Sequence, residues 1–477
     1  MKLKAIVHFF LLLPVMLLTG QSLKVEPYEF ISRSKDTVQA ELGSFKVLED
    51  RNNESLDSIQ LSFVRFKSTN PNPGSPIVYL SGGPGGSGIG TAKGKRFSLF
   101  MNLREVADVI AFDQRGTGMS TRLLECPYTA SFELSKAIDK QEYVDKSTEN
   151  ITKCLAFWQE KNVNLGAYNT TENAKDIEAL RNVLKVEKIS LWGISYGSHL
   201  AFEYIRLFED NIDKVVLASL EGPNETIKLP ENTANFIFQI AEKATTNYGA
   251  DITYPNLKKK MLAVHGRLEK SPVISTYVNR QGRIDTVGIS NFELQSAIAT
   301  FYLKNPEDSK IVPRLYDQMY HGNFTEIAPN VMILKKYIYS RIRPMPFSMD
   351  MQSGISQDRK RIMKRQIDDA ILGSTINFLQ FEWMQTTNFR QLPKQFRKMK
   401  PNKVDALLLS GTMDGRTYVS SAIELAKKFK NGRHIIIENA GHDLYMQSPL
   451  VSETVLAFFK ENEIGTNRIK LKPILFE

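Results

Sequence analysis

From residue 38 to 66 apolar and polar side chains alternate, with one break at Arg51-Asn-Asn-Glu54. A period of two is what antiparallel strands with one wet face require. Further along, the pattern changes to short, nearly continuous apolar runs. They are Pro76-Ile-Val-Tyr-Leu80, Val106-Ala-Asp-Val-Ile-Ala-Phe112, Lys188-Ile-Ser-Leu-Trp192, Val215-Val-Leu-Ala-Ser-Leu220, Val404-Asp-Ala-Leu-Leu-Leu-Ser410 and Arg433-His-Ile-Ile-Ile-Glu438. Runs of this kind suit strands buried on both faces, and up to Leu220 they alternate with helical periodicity. The prediction is an α/β architecture, a mostly parallel sheet covered by helices. Between the strand near 220 and the strand near 404 helical segments dominate, at 232–246, 291–303 and 368–384, and strand signals are few. The expected organisation is a leader at 1–22, a first core segment at 23–221 and a mainly helical insertion at 222–400. A second core segment at 401–465 and a basic-apolar tail at 466–477, without an evident role, complete it.

The turns after the predicted strands carry the candidate chemistry. Gly193-Ile-Ser-Tyr-Gly197 lies between a strand and the helical run Ser198-His-Leu-Ala-Phe-Glu-Tyr-Ile-Arg206. Such an elbow exposes the Ser195 hydroxyl and points the Tyr196 backbone N–H to where an oxyanion would form. Six histidines exist, and His442, in the loop Asn439-Ala-Gly-His-Asp443 after a late strand, is the candidate base. His8 falls in the leader, His434 within a strand, and His265 and His321 in polar or helical stretches. His199 follows the serine by one helical turn, on the side from which the elbow turns away, and reads as a packing residue. The candidate acid is Asp414 in Gly411-Thr-Met-Asp-Gly-Arg-Thr417, beyond the carboxyl end of a strand, where functional groups of open α/β sheets collect. Asp405 starts that strand and so lies at the wrong edge, while Asp443 reads as a cap of the segment that follows it. Ser81-Gly-Gly-Pro-Gly-Gly-Ser-Gly88 lets backbone N–H groups approach a carbonyl, with Gly83 as the second oxyanion donor. It lacks the Gly-Lys-Ser/Thr ending of a nucleotide-binding loop.

Taken together, these strings resemble the proline iminopeptidase and tripeptidyl aminopeptidase family of α/β-hydrolase-fold serine peptidases. The matching pieces are Gly82-Gly-Pro-Gly-Gly-Ser87, Asp113-Gln-Arg-Gly-Thr-Gly-Met-Ser120, Gly193-Ile-Ser-Tyr-Gly197, Ser410-Gly-Thr-Met-Asp-Gly-Arg-Thr417 and Ala440-Gly-His442. The resemblance implies an α/β-hydrolase fold, with the insertion as a lid over the site and the Asp113 loop as a structural neighbour. Ser81 and Ser198 depart from the family, which often has His at the first position and sometimes Gly at the second. The implied activity is a serine aminopeptidase that cuts peptides near a free amino terminus through Ser195, His442 and Asp414. A lid carboxylate would hold that terminus. Glu382, in Phe378-Leu-Gln-Phe-Glu-Trp383, matches the family segment carrying such a glutamate, with Glu221 and Glu225 as alternates. A carboxylesterase or other small-molecule hydrolase is the alternative, since one triad serves both bonds. An interaction module that kept the fold is disfavoured by the intact set of groups.

Composition changes this picture little. Of the 477 residues 42% are hydrophobic and 24% charged, which suits a soluble globular protein. The formal charge is +10, densest at Arg359-Lys-Arg-Ile-Met-Lys-Arg365 and at 394–403. No nucleic-acid reading element accompanies these stretches, so a solvated helix face is expected and no nucleic-acid partner. Met1-Lys-Leu-Lys4, an apolar stretch from Ala5 to Leu18 interrupted by Pro14, and small residues at Gly20 and Ser22 read as a signal peptide. Export to the periplasm or medium follows, with an uncleaved anchor as the lesser option and no stable membrane span once the leader is gone. Cys126 and Cys154 could then form one bridge, the other reading being two buried thiols. No metal-ligand spacing of Cys and His occurs, so neither metal nor cofactor is expected.

Overall fold

A computed structural model describes residues 22–52, 57–247 and 252–477; the expected leader, apart from Ser22, lies outside them. The chain opens with β1 (Lys24–Ile31), β2 (Thr37–Leu48) and β3 (Ser58–Phe66), paired antiparallel in sequence order. The buried runs follow as β4 (Ile77–Leu80), β5 (Val109–Asp113), β6 (Ile189–Ser195) and β7 (Ile212–Leu220). A separate hairpin, β8 (Val273–Val278) and β9 (Ile284–Ile289), precedes β10 (Asp405–Gly411), β11 (Gly432–Glu438) and β12 (Arg468–Lys470). All except the hairpin join one ten-stranded sheet in the order β1-β2-β3-β5-β4-β6-β7-β10-β11-β12. Pairing is parallel from β5 through β12, so β4, β6, β7, β10 and β11 deliver their exit loops to the same edge. The chain has the α/β-hydrolase fold.

The continuous apolar runs are explained by burial on both faces. Ile77, Tyr79, Trp192, Val216 and Leu407 pack on one side, under the helices Phe97–Leu103 and Pro449–Phe459. Val78, Leu80, Leu191, Val215 and Leu408 pack on the other, under Lys140–Glu160, Thr170–Leu184 and Tyr196–Phe208. That second cluster continues into the insertion through Ile237, Leu294, Leu315, Tyr339 and Trp383. Each such side chain contributes about 1.5–3 kcal/mol when fully buried, so insertion and core are stabilised together.

Three features differ from expectation. β1 precedes the alternating stretch; it is an edge strand with Pro27 inside and Phe30 its one fully buried residue, so it is mostly exposed and its apolar residues keep no regular alternation. The hairpin lies within the otherwise helical insertion. Its period of two is visible in retrospect, but its outer face carries Ile274 and Ile284, 71% and 73% exposed, which blurs the alternation. The tail also has a role: β12 extends the sheet, and Phe476 is buried, with its backbone bonded at N–H and carbonyl by the Asn247 side chain. Cys126 and Cys154 are joined as a disulfide that ties an extended segment to the helix Lys140–Glu160. Among the described residues no helix is long and apolar enough to cross a membrane.

Candidate active site

β6 ends at Ser195, and the next residue already begins the helix Tyr196–Phe208. So abrupt a reversal requires Ser195 at φ 56° and ψ −128°, a conformation that costs a side-chain-bearing residue about 1–3 kcal/mol. Packing sustains it. A Cβ on Gly197 would lie 2.1 Å from the Leu80 carbonyl oxygen, so the elbow sits directly against the end of β4. On the other side a Cβ on Gly82 would lie 2.9 Å from the Ile194 carbonyl oxygen, which brings the glycine-rich loop onto the elbow. Ser198 donates to the Ser195 carbonyl at 2.6 Å and accepts from the Glu221 N–H at 2.9 Å, tying the elbow to the exit of β7.

The loop after β5 braces the glycine-rich loop. Asp113 accepts from the Ser87 hydroxyl at 2.6 Å and from the Ile89 and Met119 N–H groups at 3.1 and 2.8 Å. Burial pushes its carboxyl up, against the pull of these bonds. Gln114 donates to the Ser81 carbonyl at 3.0 Å, which ties the start of the glycine-rich loop to the loop after β5.

Asp414 and His442 meet beyond the ends of β10 and β11. His442 Nδ1 is 2.9 Å from Asp414 Oδ2 and 3.1 Å from Oδ1. The same carboxylate accepts from the Thr417 hydroxyl at 2.6 Å and from the Arg416 and Thr417 N–H groups at 2.8 and 2.9 Å. Burial alone would raise the Asp414 pKa; the charge and hydrogen bond of His442, with Thr417, hold it below the usual carboxylate range. The His442 loop is clamped at its backbone: its N–H donates to the Lys304 carbonyl at 2.8 Å and its carbonyl accepts from Ser219 at 2.7 Å. Core and insertion therefore hold the His442 loop between them.

A cavity of about 310 Å³ opens over the elbow, bounded by Ser195, Gly83 and Pro84 from the core and by Phe347, Met351 and Trp383 from the insertion. Two carboxylates line it, Glu221 and Asp350. Glu221 pairs with Lys228 at 2.5 Å, while Asp350 accepts from the Gln380 amide. Burial, then the nearby Glu221 charge, drives the Asp350 pKa well up, with Lys228, Gln380 and Arg416 opposing.

Of the three carboxylates expected to hold an amino terminus, only Glu221 lines this cavity. Glu382 does not: its Oε1 is held by Lys140 at 2.7 Å and by the Ser374 hydroxyl at 2.5 Å, while its Oε2 is buried with no hydrogen-bond partner among the described residues. Glu225 turns back to accept from the Gly222 N–H at 3.0 Å. Asp350 was overlooked because it sits in Pro344–Ser353, whose Met, Pro and Phe residues read as plain core. Asp443 stands at the cap position of the short turn Leu444–Met446, but its side chain makes no capping bond and pairs instead with Arg96, which also bonds the Tyr79 hydroxyl. His199 is fully buried between the Gly222 carbonyl at 3.1 Å and Ser353 Oγ at 3.2 Å, and Asp405 is exposed at the start of β10. Tyr196 buries its ring, with its hydroxyl 3.1 Å from Thr170 Oγ1.

Sequence comparison agrees with this architecture. A family model described as alpha/beta hydrolase fold matches residues 75–259, and one described as TAP-like protein matches 382–468. Both matches fall mainly on the two segments that build the α/β-hydrolase sheet, and the relatives that match include serine peptidases. It is similar to the serine protease Hip1 of Mycobacterium tuberculosis, 28% identical over 189 residues, 38% of this chain and 36% of that protein. The tripeptidyl aminopeptidase of Streptomyces lividans is 28% identical over 159 residues, 31% of this chain and 29% of its own. The proline iminopeptidase of Arabidopsis thaliana is 31% identical over 147 residues, 31% and 27% of the two chains. The chain thus spans about a third of the length of the curated relatives it matches.

Proposed function

We propose that the protein is a serine hydrolase acting on peptides with a free amino terminus, with Ser195 as nucleophile, His442 as base and Asp414 as its orienting acid. The observation that carries this reading is the 2.9 Å bond between His442 Nδ1 and Asp414, at the sheet edge where β6 presents Ser195. A carboxylate on Nδ1–H leaves Nε2 unprotonated, able to take the Ser195 proton as its oxygen attacks the scissile carbonyl. The negative oxygen that forms is received by the Gly83 and Tyr196 N–H groups. His442 then protonates the leaving amine, and a water molecule activated by the same imidazole releases the acyl group from Ser195. The segment 222–400 acts as a lid. Glu221 and Asp350 are the two carboxyl groups on the cavity wall; Glu221 already shares its charge with Lys228, and an α-ammonium group arriving beside Asp350 would favour the ionised form that burial opposes, which supports a peptidase over an esterase. The disulfide is consistent with an exported protein, as the leader-like amino-terminal sequence also suggests.

The test is a panel of aminoacyl, prolyl and tripeptidyl p-nitroanilides, their amino-blocked counterparts and short acyl esters. The free-amino amides should be cleaved and the blocked ones spared. Ser195→Ala should lower kcat by about four to six orders of magnitude at an unchanged Tm. Good turnover of blocked peptides, or of esters alone, overturns the aminopeptidase reading.

A further inference from the structure

Beyond the two carboxylates, four cations line the cavity: Lys228, Arg341, Arg343 and Arg416. Lys228 is neutralised by Glu221, but no described carboxylate oxygen lies within 4.0 Å of a guanidinium nitrogen of any of the three arginines. Arg416 belongs to the Asp414 loop, its backbone N–H donating to that carboxylate at 2.8 Å. Its guanidinium lies 4.7 Å from the Phe378 ring centroid and reaches the Ile376 carbonyl only at 3.4 Å. A guanidinium has five N–H donors, so most of this one's capacity is directed at no protein acceptor. Burial lowers the Arg416 pKa, opposed by Tyr418, Glu221, Asp414 and Asp350, which marks a cation poorly compensated where it stands. Arg341 and Arg343 are exposed on either side of buried Ile342, and both line the cavity. Arg343 Nη2 lies 3.4 Å from where a Gly85 Cβ would be, so a cation stands beside the glycine-rich loop. A carboxylate is what such an arrangement lacks, because a guanidinium fork binds its two oxygens in parallel and is strongest where water is excluded.

We propose that Arg416, with Arg341 and Arg343 at the mouth, is a carboxylate-binding subsite of the Ser195 cavity, and that the preferred substrates are acidic peptides. This rests on the peptide-hydrolase reading above. The carboxylate comes from an Asp or Glu side chain or from the carboxyl terminus of a short peptide. Glu221 and Asp350 face the substrate's amino end, so the cavity selects for both charges of a zwitterionic or acidic peptide.

The experiment compares isosteric pairs. Tripeptidyl p-nitroanilides, which have no free α-carboxylate, are made with Asp against Asn and Glu against Gln at each position. Short peptides with a free carboxyl terminus are compared with their amides. In one arm the acid should exceed its amide isostere in kcat/KM by roughly ten- to a hundredfold at low salt, and the ratio should shrink as salt is added. The arm that responds identifies the source of the carboxylate. Arg416→Gln should bring the ratio towards one. The exposed-rim variant Arg341→Gln/Arg343→Gln should lower it too, which covers the case in which Arg416→Gln fails to fold. Ratios at or below one in every pair, or a ratio that neither variant alters, overturn the subsite. Calorimetric binding of the same pairs to Ser195→Ala needs no turnover. If no amide or ester is cleaved at all, the hydrolase reading fails while binding still reads the subsite.

Discussion

At the scale of single residues, the site depends on carboxylates whose surroundings push them in opposite directions. Asp414 is buried, yet four donors and the His442 charge keep it ionised, which is what a residue orienting an imidazole must be. Asp414→Asn should lower kcat by about 10⁴-fold by favouring the wrong His442 tautomer, while Asp405→Asn, at the far end of the strand, should leave it within about twofold. Equal losses at the two positions would reverse the assignment of the acid. Asp350 is the contrary case, buried with too little compensation and so favouring its protonated form. A carboxyl whose folded pKa is raised costs nothing below the unfolded value of 3.8; the cost grows as pH rises from there to the folded value and stays constant above it. Asp350→Asn should therefore stabilise the protein more at pH 8 than at pH 4, as read by the difference in Tm from the parent. A difference independent of pH, or larger in acid, would contradict the raised pKa.

At the scale of elements, the insertion is joined to the core by polar bonds as well as by apolar packing. Lys335, fully buried, pairs with Glu293 at 2.8 Å and donates to the Lys136 and Gly288 carbonyls at 2.6 and 3.0 Å. Glu293 caps its own helix, bonding the Ser290 N–H at 2.8 Å and completing a capping box with the Ser290 side chain. One ion pair thus binds the core excursion near 136, the hairpin strand β9 and the helix Asn291–Phe301. Lys335→Met would leave Glu293 buried without its cation and should cost about 3–5 kcal/mol in denaturant unfolding. Lys335→Met/Glu293→Leu should recover part of that loss. A single variant as stable as the parent would mean the pair contributes nothing net.

At the scale of the whole molecule, the sheet edge carries all three triad candidates, and the insertion closes over them while clamping the His442 loop through Lys304. The disulfide acts on the same scale, because it constrains the unfolded chain. A bridge between positions 28 residues apart contributes about 3–4 kcal/mol. Cys126→Ser/Cys154→Ser should lose that much stability while keeping measurable activity at low temperature, since the bridge lies away from the cavity residues. An unchanged Tm after reduction would show that the bridge is dispensable.

What the sequence by itself determined is whatever depends on neighbours along the chain. The strand runs, the elbow at Ser195 and the loops holding Asp414 and His442 are local strings, each conformation dictated by a few adjacent residues. Their order follows from parallel strands delivering their exits to one edge. The assignments that failed depend on side chains brought together from distant segments. Glu382 looked available in its own helix, but Lys140 arrives from the first core segment and neutralises it. Asp350 looked like an interruption in a core helix, yet it faces the cavity beside Glu221 from the end of β7. Arg416 was one letter of a loop motif; only the position of Phe378 and the distance of its guanidinium from every described carboxylate left it without an ion-pair partner among the described residues. A charge finds its partner through space, and in a folded chain that partner is decided by packing, not by position in the sequence.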